Sequence, residues 1–249
     1  MLAMALAAAV SMAVCAAPAD TGARTIYVSK LGSNRDGRTW NTAYTTIQAA
    51  LSAVPVGGGC RIAIRPDTYF EANLYPANRG ARGAYNELVG DVDGRLGSGT
   101  TGRVIIDSGD PDQRGFKSYD WWGPIRATTQ GWSKEHTDPT FSAIGWDRWR
   151  IANLYVTGGD AGIFFDTTDR KEPFTVVVED CVSIGRAFGG GVAGCLSRPD
   201  EPITFRRCWL WSLDFWGDAA GFDAVGGGAV ADDEAGALVI GEGGERGHG

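Results

Sequence analysis

Short apolar alternations, separated by polar corners, run through the second half of the chain. Trp149-Arg150-Ile151, Val176-Val177-Val178 and Ile203-Thr204-Phe205 each precede a corner that holds Asn153, Asp180 or Arg207. Each corner leads into a second short run: Leu154 to Val156, Cys181 to Ser183 and Cys208 to Leu210. Ile151, Val178 and Phe205 stand 27 residues apart, and so do Asn153, Asp180 and Arg207. After variable loops, a third set follows at Gly162-Ile163-Phe164-Phe165, Val192 to Leu196 and Gly221-Phe222-Asp223-Ala224. Strands this short, returning at a fixed interval, predict a solenoid of three strands per repeat, each turn burying its inner face on the next. Alternation places Leu154, Cys181 and Cys208 inside, together with Val156, Ser183 and Leu210. Ser183 then needs a hydrogen-bond partner. The outward positions are Tyr155, Val182 and Trp209, with Trp211 two residues on.

Upstream, Thr25 to Ser29 reads as a strand and Leu31 to Trp40 as a loop rich in turn residues. Thr42 offers an N-cap for a helix whose apolar face is Ile47, Ala50, Leu51 and Val54, stopped by Pro55 and Gly57-Gly58-Gly59. A strand at Arg61 to Ile64, the turn Arg65-Pro66-Asp67 and a strand over Thr68 to Glu71 follow. Thr25 to Tyr75 resembles the opening of the secreted right-handed parallel β-helix proteins of the pectate-lyase-like superfamily, through Tyr27-Val28-Ser29, Thr46-Ile47-Gln48-Ala49-Ala50-Leu51 and Ile62-Ala63-Ile64-Arg65-Pro66-Asp67-Thr68-Tyr69. Val104 to Val225 is similar only as a repeat pattern. The resemblance implies an all-β fold, a right-handed parallel β-helix over residues 25–225, with the helix capping its N-terminal end. Asp67 departs from the family, which has glycine at that place in the turn; Asp tolerates turn geometry. Gly102 to Asp107 reads as the next coil strand, and from Ser108 to Thr140 the period lapses in an excursion carrying Trp121, Trp122 and Trp132. The Gly-rich, acidic stretch 226–249 leaves the repeat, with Leu238-Val239-Ile240 as one last strand, which reads as a truncated or altered C-terminus.

Charge and compartment narrow the picture. A net charge of −7 and no basic cluster longer than Arg206-Arg207 argue against nucleic acid as a partner. Met1 to Ala19 has the apolar core and small-residue end of a signal peptide, cut after Ala17 or Ala19, although no Lys or Arg precedes the apolar run. A buried N-terminal helix is the competing reading, and Val14 is bulky for lipidation at Cys15. The expectation is a monomer that is secreted, at the cell surface or periplasmic, with no membrane association after signal removal. Of the remaining cysteines, Cys181 and Cys208 occupy equivalent places in adjacent repeats and are expected to stack as a ladder of buried thiols. Cys60 and Cys195 complete the set; no pair has zinc-site spacing.

Candidate chemistry is carried by aromatics and carboxylates. Tyr155, Trp209 and Trp211 would form a stripe able to stack on sugar faces, flanked by Asp160 and Asp166. The opposing reading is that the Trp-rich segment Asp120 to Trp149 covers the stripe as a secondary core. Hydrolysis of a glycosidic bond needs two suitably spaced carboxylates, whereas β-elimination of a uronate uses an Arg with Ca²⁺-held carboxylates. Ca²⁺ is therefore the one cofactor the lyase chemistry would require. Asp218 and Asp223, flanking the strand from Gly221, with Arg186 as the nearest cation, are the catalytic candidates, and Asp214 is a further acid near them. The bland alternative is that these acids are solvated turn formers. Asp232-Asp233 with Gly247-His248-Gly249 resembles a polygalacturonase pair only by coincidence, since the spacing is too short for one coil of that family; His136 stands alone, and Gly189-Gly190-Gly191 reads as a turn. Three functions stay open: a polysaccharide lyase or glycoside hydrolase, with acids converging in a groove; a non-catalytic glycan-binding module, with scattered acids; and a structural extracellular module with neither groove nor exposed aromatics.

Overall fold

The structure, a computed structural model, describes residues 24–108, 125–128, 143–167, 172–212, 220–225, 228–232 and 237–241. It is an all-β arrangement in which the chain passes back and forth between two large stacked sheets, parallel along most of their length. In chain order the strands are β1 (Thr25–Val28), β2 (Arg61–Ile64), β3 (Asp67–Phe70), β4 (Asn86–Gly90), β5 (Val104–Asp107), β6 (Ile125–Thr128), β7 (Trp149–Ala152) and β8 (Tyr155–Asp166). Then come β9 (Pro173–Phe174), β10 (Val176–Glu179), β11 (Val182–Ala193), β12 (Leu196–Ser197), β13 (Ile203–Arg206), β14 (Trp209–Ser212), β15 (Ala220–Val225), β16 (Gly228–Asp232) and β17 (Ala237–Gly241). The first sheet runs β1-β2-β4-β7-β10-β13-β17-β16, and the second β14-β11-β8-β5-β3, with β15 on β11 and β6 on β8. A two-stranded pair, β9 and β12, forms a small third sheet.

One column shows why these residues make these strands. Ile26, Ile62, Leu88, Ile151, Val178 and Phe205 are register partners from β1 through β13, and none is more than 2% exposed. The matching inward column of the second sheet is Tyr69, Ile106, Val156, Ser183 and Leu210. Ser183 is fully buried, and its hydroxyl accepts from Ile163 N at 3.0 Å and donates to the Gly189 carbonyl. The polar member of the column is therefore satisfied, as burial demands. Trp149, Trp146, Phe165 and Phe174 pack in that order within the core, with successive ring centroids 5.2, 6.3 and 5.4 Å apart. Trp146 and Trp149 thus belong to the interior, not to a cover over the outer aromatic stripe; Trp121, Trp122 and Trp132 lie outside the described residues.

The corners follow the sequence repeat. Asn153, Asp180 and Arg207 adopt φ of 59°, 54° and 51°, the left-handed conformation that turns each strand of the first sheet into the next strand of the second. Asn and Asp enter that region readily; Arg does so at a cost. Asp67 has no positive φ and begins β3, its carboxylate accepting from Thr68 N at 2.7 Å, so glycine is not needed at that turn.

Several expectations change. The helix α1 spans Ile47–Ser52 and is N-capped by Thr46, whose hydroxyl accepts from Ala49 N. Thr42 instead closes a capping box with Thr39 on a preceding 3₁₀ turn. The apolar face of α1, Ile47, Ala50 and Leu51, is fully buried against β1 and β2, and Val54 beyond it is buried too. β4, between Arg61–Ile64 and Val104, was not anticipated; its Asn86 faces the core and accepts from Cys60 N at 3.0 Å. A separate third strand per repeat does not form in β8 and β11, which run on for 12 residues each and pass through bulges, so the expected third set continues the second sheet. Within the excursion, β6 pairs in parallel with β8. In the tail, β16 and β17 form an antiparallel pair, and β17 joins β13 antiparallel, reversing strand direction at the end of the first sheet. The segment read as a signal peptide lies outside the described residues.

Candidate functional site

The outer face of the second sheet is assembled by register. Thr68, Ile105, Tyr155, Val182 and Trp209 are successive partners along β3, β5, β8, β11 and β14. A second outward row contains Phe70, Asp107 and Thr157, and beyond the β8–β11 irregularity Ile184 pairs with Trp211. Positions two apart on a strand share a face, which puts both Trp209 and Trp211 of β14 on the outside. They are 66% and 54% exposed, with ring centroids 6.5 Å apart and planes inclined by 33°. Together they form an exposed aromatic patch on one strand.

Charged groups border other rings of this sheet. The Arg103 guanidinium lies 5.4 Å from the Tyr155 ring centroid, and the Lys30 ammonium 6.0 Å from that of Phe70, itself 70% exposed. Both distances fall within cation–π range. Where β14 leaves its corner, Asp180, Cys181, Val182, Arg207, Cys208 and Trp209 line an open cavity of about 630 Å³. Its wall is an ion pair: Arg207 donates through Nε and Nη2 to the two Asp180 carboxylate oxygens, each at 2.7 Å. That bond holds the Asp180 carboxyl below its ordinary range. Arg207 reaches further, to Glu179 Oε2 at 3.2 Å.

Glu179 is nearly enclosed, its side chain 2% exposed, and also receives Nε of Arg150 and Nε of Arg206 on its two oxygens. Burial acts to raise its pKa, but the bonds from Arg206 and Arg150 outweigh that and leave it lowered. Arg61, Glu87, Arg150, Glu179 and Arg206 therefore form an alternating charge ladder across the outside of the first sheet. Every member has a partner of opposite sign, so the ladder is a fastening rather than a recognition surface. No family model, curated protein or solved structure matches this chain.

The anticipated site residues are distributed unevenly. Trp209 and Trp211 share an open face, while Tyr155 is half-buried beneath Arg103. Asp160 and Asp166 lie within strand β8, and Asp166 is 6% exposed. Arg186 falls in β11 at its register shifts, and Asp223 lies in β15 opposite Gly191; the backbone alone is described at both. Asp218 and Asp214 lie outside the described residues, as do His136, Asp233 and the Gly247-His248-Gly249 end. Among the described residues, no group of three or more His, Cys, Asp or Glu converges as a metal site. The Arg207–Asp180 pair was overlooked, although opposite charges 27 residues apart, at equal places in the repeat, were the signal for it. Arg103 and Lys30 gave no such sign, because each meets its ring across sequence-distant elements.

Proposed function

We propose that this chain is a right-handed parallel β-helix protein, similar to the pectate-lyase-like superfamily, that binds polysaccharide on the outer face of its second sheet. In this reading α1 is the N-terminal cap, the protein is exported, and it works as a monomer. The single observation behind the binding role is the Trp209–Trp211 pair, open to solvent and close enough for neighbouring sugar rings of one chain to stack on both. Arg103 beside the same face favours a glycan bearing carboxylates, whereas Lys30 is already paired with Asp67 at 3.2 Å. Cleavage, as a lyase or hydrolase, would depend on Asp218, Asp223 and Arg186. The test is a panel of neutral and uronate-containing polysaccharides, assayed for binding by affinity electrophoresis and for depolymerisation with and without Ca²⁺. Binding weakened about tenfold or more by Trp209→Ala and by Trp211→Ala supports the platform, on the basis of about 1.5 kcal/mol for one covered ring face. Depolymerisation abolished by Asp218→Ala or Asp223→Ala adds the enzymatic role. No retention of any polysaccharide, or retention indifferent to both tryptophans, refutes the reading and leaves a structural module.

A further inference from the structure

Two thiols meet where the polypeptide passes from the first sheet to the second. On one side of the corners Glu179 pairs with Arg206, and on the other Val182 pairs with Trp209, so Cys181 and Cys208 are held in step. Trp209 N donates to the Cys181 carbonyl at 2.8 Å, which locks that alignment. Parallel neighbours in register stand about 4.8 Å apart, inside the separation of about 4.4–6.8 Å that a disulfide spans between Cα atoms. Both thiols turn toward carbonyls at the same corner: Cys181 Sγ donates to Glu179 O at 3.2 Å, and Cys208 Sγ to Arg206 O at 3.3 Å and to Val178 O of the preceding layer at 3.4 Å.

Their surroundings differ. Cys181 is 1% exposed, one strand in from the edge, and burial pushes its thiol well up. Cys208 is only half-buried, immediately before β14, and borders the 630 Å³ cavity more openly than Cys181, which also lines it. The neighbouring Cys181 thiol favours the Cys208 thiolate and draws its pKa down, past the opposing effect of burial. One sulfur is thus reachable and activated, with a second waiting behind it. That is the arrangement of an attacking thiol and a resolving thiol.

We propose that Cys181 and Cys208 are a site of reversible oxidation, closed to a disulfide by exchange with a low-molecular-weight disulfide of the glutathione class. The Cys208 thiolate attacks one sulfur of the small disulfide, whose S–S bond breaks and whose other half leaves as thiolate and takes up a proton. Cys181 then gives up its proton and attacks Cys208 Sγ, and the second small thiol departs. Both cysteines have been oxidised, and one small disulfide has been reduced to two thiols. The bond ties β14, with Trp209 and Trp211, to β11, and it stands whether or not the face binds glycan.

The test incubates the reduced protein with graded ratios of oxidised to reduced glutathione, traps free thiols by alkylation in denaturant, and maps peptides by mass spectrometry. The expected product is a Cys181–Cys208 cross-link lacking two hydrogens, with Cys60 and Cys195 still alkylated. Burial raises those two thiols to about 11, which makes them internal controls. Cys181→Ser should stop at a glutathione adduct on Cys208, and a short alkylation pulse on the native wild type should label Cys208 before Cys181. Two free thiols at every ratio, a persistent glutathione adduct on wild-type Cys208, or earlier labelling of Cys181 would each overturn the proposal.

Discussion

Replacing Glu179 by glutamine keeps the side chain's shape and removes its charge from beneath three guanidinium groups. Arg150 and Arg206 each donate Nε to a different oxygen of this carboxylate, and Arg207 adds Nη2 at 3.2 Å. A charge-assisted hydrogen bond contributes about 1.5–3 kcal/mol when sheltered. The three arginines are 32%, 44% and 52% exposed, so water recovers part of what they lose. The balance is a destabilisation of about 2–4 kcal/mol, read as the difference in urea unfolding free energy near neutral pH. The sign of the pH dependence follows from the lowered native pKa. The stabilisation is fully present above the unfolded carboxylate value of about 4.3 and is lost as pH falls through the native pKa. The gap between wild type and Glu179→Gln should therefore close on acidification from about pH 7 to about pH 3. A gap that stays constant over this range, or none at neutral pH, would show that the carboxylate does not bind these arginines in solution.

Asp147→Ala should cost about 3–5 kcal/mol in chemical denaturation, because it strips a carboxylate 1% exposed from Arg198, which donates through both Nη atoms at 2.6 and 3.0 Å, and from Thr175 N. Ser183→Ala leaves Ile163 N and the Gly189 carbonyl without this partner inside the second sheet, so a loss of about 1–3 kcal/mol is expected on thermal or urea unfolding. Gly162→Ala sets a Cβ 2.0 Å from Ser183 Oγ and 2.4 Å from the Gly189 carbonyl. It should destabilise by at least 1 kcal/mol or so, non-additively with Ser183→Ala, since both changes act on one contact; additive effects in the double variant would refute that coupling.

The repeat was legible because three successive layers make the same corner at the same interval. Asn153, Asp180 and Arg207 recur at 27 residues, and each turns left-handed at the end of its first-sheet strand. The inward and outward faces were legible for a similar reason, since alternation along a four-residue strand leaves no other assignment for Ile151, Val178 and Phe205 or for Trp209. β4 escaped because a core-facing Asn86, satisfied by Cys60 N and Asn78 O, is indistinguishable by hydropathy from a loop residue. The antiparallel pairing of β17 on β13 escaped because alternation is the same whichever way a strand runs. Asp160 and Asp166, expected to flank the aromatic stripe, fall within β8 because that strand continues through its bulges.

Local chemistry alone thus determined where the chain turns and which side chains face the core, because both depend on near neighbours in sequence. Only the tertiary structure decided which charges meet. Glu179 is an ordinary acid before a corner until Arg150, Arg206 and Arg207, from different layers, converge on it. Its burial, the closing of Arg207 on Asp180 and the meeting of the Cys181 and Cys208 thiols depend on one layer lying in register on the next.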